Sequence, residues 1–249
     1  MKTVAIVSPS GGAGRSTVVA HLATLLARRH RSVLAIESDP ANVLGFYLGL
    51  DHSSDHGLLP AILAGQHWAG DAFKSAEGVM FVPFGRSEPR DLARFQQHLL
   101  QKPRWLAQGI ERLAFDEGVV LIDTPRYPSL FMEQACLAAD IVLVLLAPEP
   151  LSLVAVEQIE RHLAEMGKPA LYIATRISPV RVLHSDILAL SMQRLGKRLI
   201  PYRIHEDVAV PEAFAKGVMV TDYAPHSQTA HDLHGLCAWL EAYLDGGSI

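Results

Sequence analysis

The stretch Val4-Ala5-Ile6-Val7-Ser8-Pro9-Ser10-Gly11-Gly12-Ala13-Gly14-Arg15-Ser16-Thr17 constrains this chain more than any other. An apolar run enters a glycine-rich loop, and the loop opens directly into a segment of helical spacing. Gly11, Gly12 and Gly14 let successive backbone N–H groups converge on an anion without Cβ clash, and the following helix adds the positive end of its dipole. The reading is strand, phosphate-binding loop, helix, with a triphosphate as guest. In such a loop the residue after the last glycine reaches the β- and γ-phosphates, and the next hydroxyl ligates Mg²⁺. Those positions are Arg15 and Ser16. The strict pattern asks for Gly at position 9 and Lys at position 15, where this chain has Pro9 and Arg15.

Beyond the loop, Val18, Val19, Leu22, Leu25 and Leu26 predict a helix over residues 16–29. A second buried strand, 32–36, stops at Glu37-Ser38-Asp39-Pro40, which puts carboxylates at the strand end where ligands bind in open parallel sheets. The run 118–125 is the second strong signal, with four apolar residues and then Asp123 at the exit. Beside the loop strand, that carboxylate is placed to hold Mg²⁺ through its water shell while the following loop senses the γ-phosphate. Further strands are predicted at 79–85, 140–146, 170–174 and 199–203. Helical stretches are predicted at 89–101, 105–113, 151–166 and 227–244, and residues 41–70 read as an exposed crossover with a short helix. This alternation predicts one α/β domain over residues 1–249, a mostly parallel twisted sheet with helices on both faces. A length of 249 residues, 49% of them hydrophobic, suits one large core without a domain boundary.

Charge and composition exclude several classes. The formal net charge is −4 and no long Lys/Arg run occurs, so nonspecific duplex binding lacks electrostatic support and no DNA partner is expected. Cys136 and Cys237 are far apart and in no pair motif, which predicts two packed thiols in a reducing compartment. No apolar run reaches the ~18 residues of a membrane span, so a cytoplasmic protein without direct membrane insertion is expected. His226, His231 and His234 read as a solvated helix face, because no first shell of metal-ligand spacing accompanies them. The terminal helix ends in Glu241 and Asp245 and lacks the cationic character of a membrane-surface anchor.

The loop Gly-Gly-Ala-Gly-Arg-Ser-Thr, the Glu37-Ser-Asp-Pro40 run and the Leu121-Ile-Asp-Thr-Pro125 run together resemble the deviant P-loop ATPases of the MinD/ParA class, over nearly the whole chain. The resemblance implies a P-loop NTPase fold and ATP with Mg²⁺ as cofactors. It implies nucleotide binding by Gly11, Gly12, Ala13, Gly14, Arg15, Ser16 and Thr17, with Ser16 and Asp123 toward the metal. Asp39 is expected to orient the attacking water, with Arg15 as its catalytic companion and Glu37 standing where Asp is usual. The class's signature lysine is replaced by Ser10, and Thr175 stands where an Asn usually recognises the base. Arg126, directly after the Asp123 run, is the candidate to supply the missing charge.

Several other runs, 61–68, Val82-Pro-Phe-Gly85, Asp123-Thr-Pro-Arg126 and 201–207, look like the cellulose-biosynthesis BcsQ family. That resemblance implies a cytosolic, nucleotide-dependent homodimer serving an inner-membrane cellulose synthase or secretion complex, with a small regulatory protein as partner. Slow hydrolysis is expected from the degraded loop. The competing readings are a ParA-like partition ATPase, a cluster-bearing reductase and a non-hydrolysing nucleotide-binding scaffold.

Overall fold

The computed structural model describes residues 1–50, 55–113, 115 and 117–247. Its strands are β1 (Lys2–Val7), β2 (Val33–Glu37), β3 (Phe73–Lys74), β4 (Met80–Val82), β5 (Val119–Asp123), β6 (Ile141–Leu146), β7 (Ala170–Ile177) and β8 (Leu199–His205). Its helices are α1 (Arg15–Arg28), α2 (Leu44–Tyr47), α3 (Leu58–Leu63), α4 (Pro89–Gln101), α5 (Trp105–Glu111), α6 (Leu130–Ala138), α7 (Pro150–Glu165), α8 (Val182–Leu195), α9 (Ala209–Ala215), α10 (Val220–Tyr223) and α11 (Gln228–Leu244). The eight strands form one sheet in the order β3-β4-β2-β5-β1-β6-β7-β8, and only β3 runs antiparallel to its neighbour.

Both sheet faces are covered, which is why the central strands read as unbroken apolar runs instead of alternating ones. Val4 and Ile6 pack with α1 and α11 on one face, while Ala5 and Val7 pack with Phe95, Phe131 and Ile159 on the other. β1 lies between β5 and β6, with Ile6 in register with Asp123 and with Leu143. Glu37 pairs in register with Asp123 across β2 and β5. The strand ends that carry the glycine loop and the acidic residues thus lie side by side, where a parallel sheet opens a crevice.

The structure differs from the sequence reading in places. The stretch 41–70 is no exposed crossover: Leu44, Leu58, Leu59, Ala61 and Trp68 are buried, although residues 51–54 lie outside the described ones. Its α3 is stitched to the end of β4, with Leu58 N–H donating to Pro83 O at 2.9 Å and Leu59 N–H to Phe84 O at 3.0 Å. Gly57 permits this approach, because at its φ of 144° a Cβ would stand 2.4 Å from Pro83 O. β3, α6, α8, α9 and α10 were not anticipated. β3 has two residues, too few for any period to show. α8 buries His184 and Ser191 beside Ile187 and Leu195 while exposing Val182, Leu183, Leu190 and Met192, so its apolar residues do not trace the buried face.

Candidate functional site

The loop after β1 takes the shape its glycines allow. Gly12 (φ 70°) and Gly14 (φ 87°) are left-handed, and Gly14 caps the N-terminus of α1. Gly11 and Gly12 are exposed while Ala13 is buried beneath them. The amide-rich edge of the loop therefore faces solvent at the start of a fourteen-residue helix, as an anion site requires.

Arg15 folds back over this loop. Its Nη1 donates to Ser8 Oγ and, at 3.1 Å, to the carbonyl of Ser10, while its Nη2 lies 3.6 Å from Asp39 Oδ2. The guanidinium thus spans from loop to the end of β2, which a lysine of one nitrogen cannot do. Asp39 also accepts from the Ala41 amide at 3.0 Å. Ser10 hydrogen-bonds Ser152 at 3.3 Å, tying the loop to the first turn of α7.

Asp123 is wholly buried, and neither carboxylate oxygen has a hydrogen-bond partner among the described residues. Burial pushes its pKa up to about 7; the Ser16 hydroxyl, close by but looser than hydrogen-bonding geometry, favours the charged form without offsetting that burial. Glu37 is also buried, and burial followed by the neighbouring Asp123 pushes its pKa up to about 8. Its Oε1 accepts from the Leu44 amide at 2.6 Å, so this residue anchors α2, while its Oε2 has no partner among the described residues. A buried carboxylate with both oxygens unsatisfied is costly unless a cation or proton completes it. The donor set, a hydroxyl and a hard carboxylate beside a phosphate loop, fits Mg²⁺.

The strand ends are cross-braced. Ser38 donates both its N–H and its hydroxyl to Asp123 O at 2.8 Å, and Thr124 Oγ1 donates to Ile6 O at 2.8 Å. Tyr127 N–H donates to Ser8 O at 3.0 Å, fixing the loop after β5 to the base of the glycine loop. Arg126 itself is exposed, and its side chain makes no hydrogen bond or ion pair among the described residues, so none joins it to Arg15, Ser16 or Asp123.

A cavity of about 610 Å³ continues from Gly12–Gly14 and Thr17 toward Glu206, Val208 and Pro211. Thr175 lines it, but its buried hydroxyl donates to Ala13 O at 3.0 Å, so it braces the loop. Arg176, which sequence reasoning passed over, sits at a left-handed φ of 54° and donates to Gly12 O at 3.2 Å and to Glu206 at 3.1 Å. Its position after Thr175 at a strand end was the available signal. Tyr47, whose hydroxyl meets Thr17 Oγ1 at 2.9 Å, carried no sequence signal.

Comparison with known proteins agrees with this geometry. A family profile described as cellulose biosynthesis protein BcsQ matches residues 1–240. The cellulose biosynthesis protein BcsQ of Escherichia coli K12 is 26% identical over 234 residues, covering 92% of this chain and 90% of that one. The septum site-determining protein MinD of Pyrococcus horikoshii, solved with Mg-ADP, superposes with a TM-score of 0.78 at 25% identity, covering 100% of this chain and 99% of that one. Cobyrinic acid a,c-diamide synthase of Mycobacterium smegmatis, solved with an ATP analog and magnesium, gives a TM-score of 0.82 at 21% identity, with coverage of 100% and 97%, and shares the fold. With the glycine loop, the strand-end acids and a match spanning almost its whole length, the chain belongs to the cellulose biosynthesis protein BcsQ family.

Proposed function

We propose that this protein is an ATP- and Mg²⁺-binding P-loop switch that supports cellulose synthesis and secretion and hydrolyses ATP slowly. The observation that carries the reading is Asp123, buried with both oxygens unpartnered beside a solvent-facing glycine loop. In this reading the amides of Gly11, Gly12, Ala13 and Gly14 cradle the phosphates, Arg15 grips the β- and γ-oxygens, and Thr17 closes the loop side of the cavity. Ser16 and Asp123 would hold the metal and its waters, and the bound cation would neutralise phosphate charge. Asp39 orients the attacking water. Thr175 acts by holding Ala13 in place.

Family membership and the E. coli relative's name support the link to cellulose; the partners are components of the synthase or secretion complex, with a small regulatory protein among them. Among the described residues no helix is long and apolar enough to cross a membrane, so location at the inner membrane would come through those partners. Titration calorimetry tests the nucleotide reading, with ATP-Mg²⁺ giving saturable heat that Asp123→Asn strongly reduces. Absence of heat with any adenine nucleotide at millimolar concentration, in folded protein, overturns it. Tighter binding of GTP revises the base assignment alone. For the cellular role, deletion of the gene is expected to remove cellulase-sensitive polymer, and unchanged polymer overturns the cellulose assignment.

A further inference from the structure

Residues 61–68 and 105–113, whose sequences serve no step of nucleotide chemistry, come together on the sheet face opposite α1. They frame a cavity of about 420 Å³ between the turn that follows α3 and the helices α4 and α5, sharing no lining residue with the nucleotide cavity. Ile62, Trp68 and Trp105 give it an apolar wall. The indole of Trp68 is held edge-on against bare helix backbone, since a Cβ on Gly109 would stand 2.5 Å from its Nε1. His67 stacks on Trp68 at 5.1 Å between ring centroids, and His98 meets Trp105 edge-to-face at 6.3 Å.

Two observations point to an occupant. Trp68 is 2% exposed, yet among the described residues its Nε1 has no hydrogen-bond partner, and His98 Nε2 is likewise enclosed and unpartnered. Buried polar atoms without a hydrogen-bond partner are rare in folded proteins. The second observation is charge. Lys102 and Arg112 stand exposed at the cavity, and neither side chain meets a carboxylate among the described residues. Among the described residues no Asp or Glu lines the cavity, in a chain whose net charge is −4. Burial and the nearby Lys102 hold the His98 imidazole below its usual range, consistent with a local positive field.

We propose that this cavity docks a short segment of a partner protein in which a carboxylate side chain stands next to an apolar one. The apolar side chain fills the tryptophan wall, and the carboxylate meets Lys102 and Arg112 at the rim with Gln108 as a further donor. A free inorganic anion suits the cavity less well, because it leaves the apolar wall wet and finds its cations on exposed stems instead of at depth. Charge complementarity selects an acidic peptide over a basic or neutral one.

The test pans a random dodecapeptide phage library against the full chain, then titrates the enriched peptides while following tryptophan fluorescence, two of the three tryptophans being at the cavity. Enriched sequences are expected to place Asp or Glu beside an aromatic or aliphatic residue. Their affinity is expected to fall by about tenfold or more in Lys102→Glu/Arg112→Glu and when the peptide carboxylate becomes an amide. ATP calorimetry on that exposed double variant verifies its fold and is expected to be unchanged. No enrichment, enriched peptides lacking an acid, or binding undiminished in the double variant overturns the proposal. Complete displacement of the peptide by inorganic phosphate at equal concentration reassigns the cavity to free anions and overturns it equally.

Discussion

At the scale of single residues, Arg15 decides how this site works. A lysine offers one compact charge that can follow the γ-phosphate, whereas the Arg15 fork is already engaged with Ser8, Ser10 O and Asp39. Phosphate binding must pull it from those partners, and any residual hold on Asp39 keeps that carboxylate from the water it is to orient. Turnover is therefore expected far below the ~10 s⁻¹ median for enzymes. Arg15→Lys should raise phosphate release, and Asp39→Ala should abolish it while leaving ATP affinity nearly unchanged. Turnover near that median in the wild type, or an Asp39→Ala protein as active as the parent, defeats this account. The strand-loop-helix shape and the placing of Asp39 and Asp123 at neighbouring strand ends were legible in the sequence, because an apolar run that stops at Gly, Asp or Pro marks where a strand ends. Arg176 on Gly12 O and the bracing role of Thr175 were not, since each joins β7 to a loop about 160 residues earlier in the chain, and Glu37 as the anchor of α2 was not, because no residue type at position 44 announces a backbone amide as its partner.

At the scale of elements, the helix following the loop is bolted to the C-terminal part of the chain through His21. Its Nδ1–H donates to Thr17 O at 2.7 Å, and its Nε2 accepts from the Val220 amide at 2.9 Å, which joins α1 to α10 and fixes the neutral tautomer. Burial first of all lowers its pKa from 6.5 to about 4. The folded pKa lies below the unfolded one, so the unfolded chain binds more protons between the two values. This contribution is intact above pH 6.5 and is lost as pH falls toward 4, reaching ~3 kcal/mol at ~1.4 kcal/mol per pKa unit. His21→Gln should be less stable than wild type at pH 7, and the gap should shrink between pH 6.5 and 4 in urea midpoints. A gap that stays constant with pH refutes the neutral-imidazole account. Gly57 makes a second element-scale test. Ala there must either move α3 off the end of β4 or strain its backbone, so Gly57→Ala should cost ~2 kcal/mol or more, and an unchanged urea midpoint counts against that packing. Strongly patterned elements were readable in advance: residues 89–101 form α4 as predicted, with Pro89 in its first turn. The exposed reading of 41–70 failed because the burial of Trp68 and Leu59 is supplied by helices α4 and α5, later in sequence.

At the scale of the whole molecule, the question is what sits against the face around the nucleotide cavity. Leu151 and Val154 on α7, Val180 and Val182 at the start of α8, and Val208 beside the cavity are 67% to 87% exposed. Ser152, next to Leu151, ties α7 to the loop at Ser10, and Val208 and Arg181, which stands between Val180 and Val182, line the cavity. A second copy of the chain, facing the first across a two-fold axis, would cover them in both protomers at once. Two facing triphosphates on protomers of net charge −4 repel, and the short, neutral Ser10 cannot offset that. Arg176 and Arg181 are each held by Glu206, which leaves Arg126, exposed and without a side-chain hydrogen bond or ion pair among the described residues, to reach phosphate in cis or in trans. The backbone bond from Tyr127 to Ser8 O keeps it beside the glycine loop. Sedimentation with ATP-Mg²⁺, with ADP and without nucleotide should show a dimer only with ATP. Val154→Glu should keep nucleotide binding and lose the dimer, and Arg126→Ala should weaken the dimer without altering the monomer's melting temperature. A monomer in every state ends the switch and leaves a nucleotide-binding scaffold. An ATP dimer that survives Arg126→Ala but not Val154→Glu keeps the switch on its apolar face and removes this arginine as its source of charge.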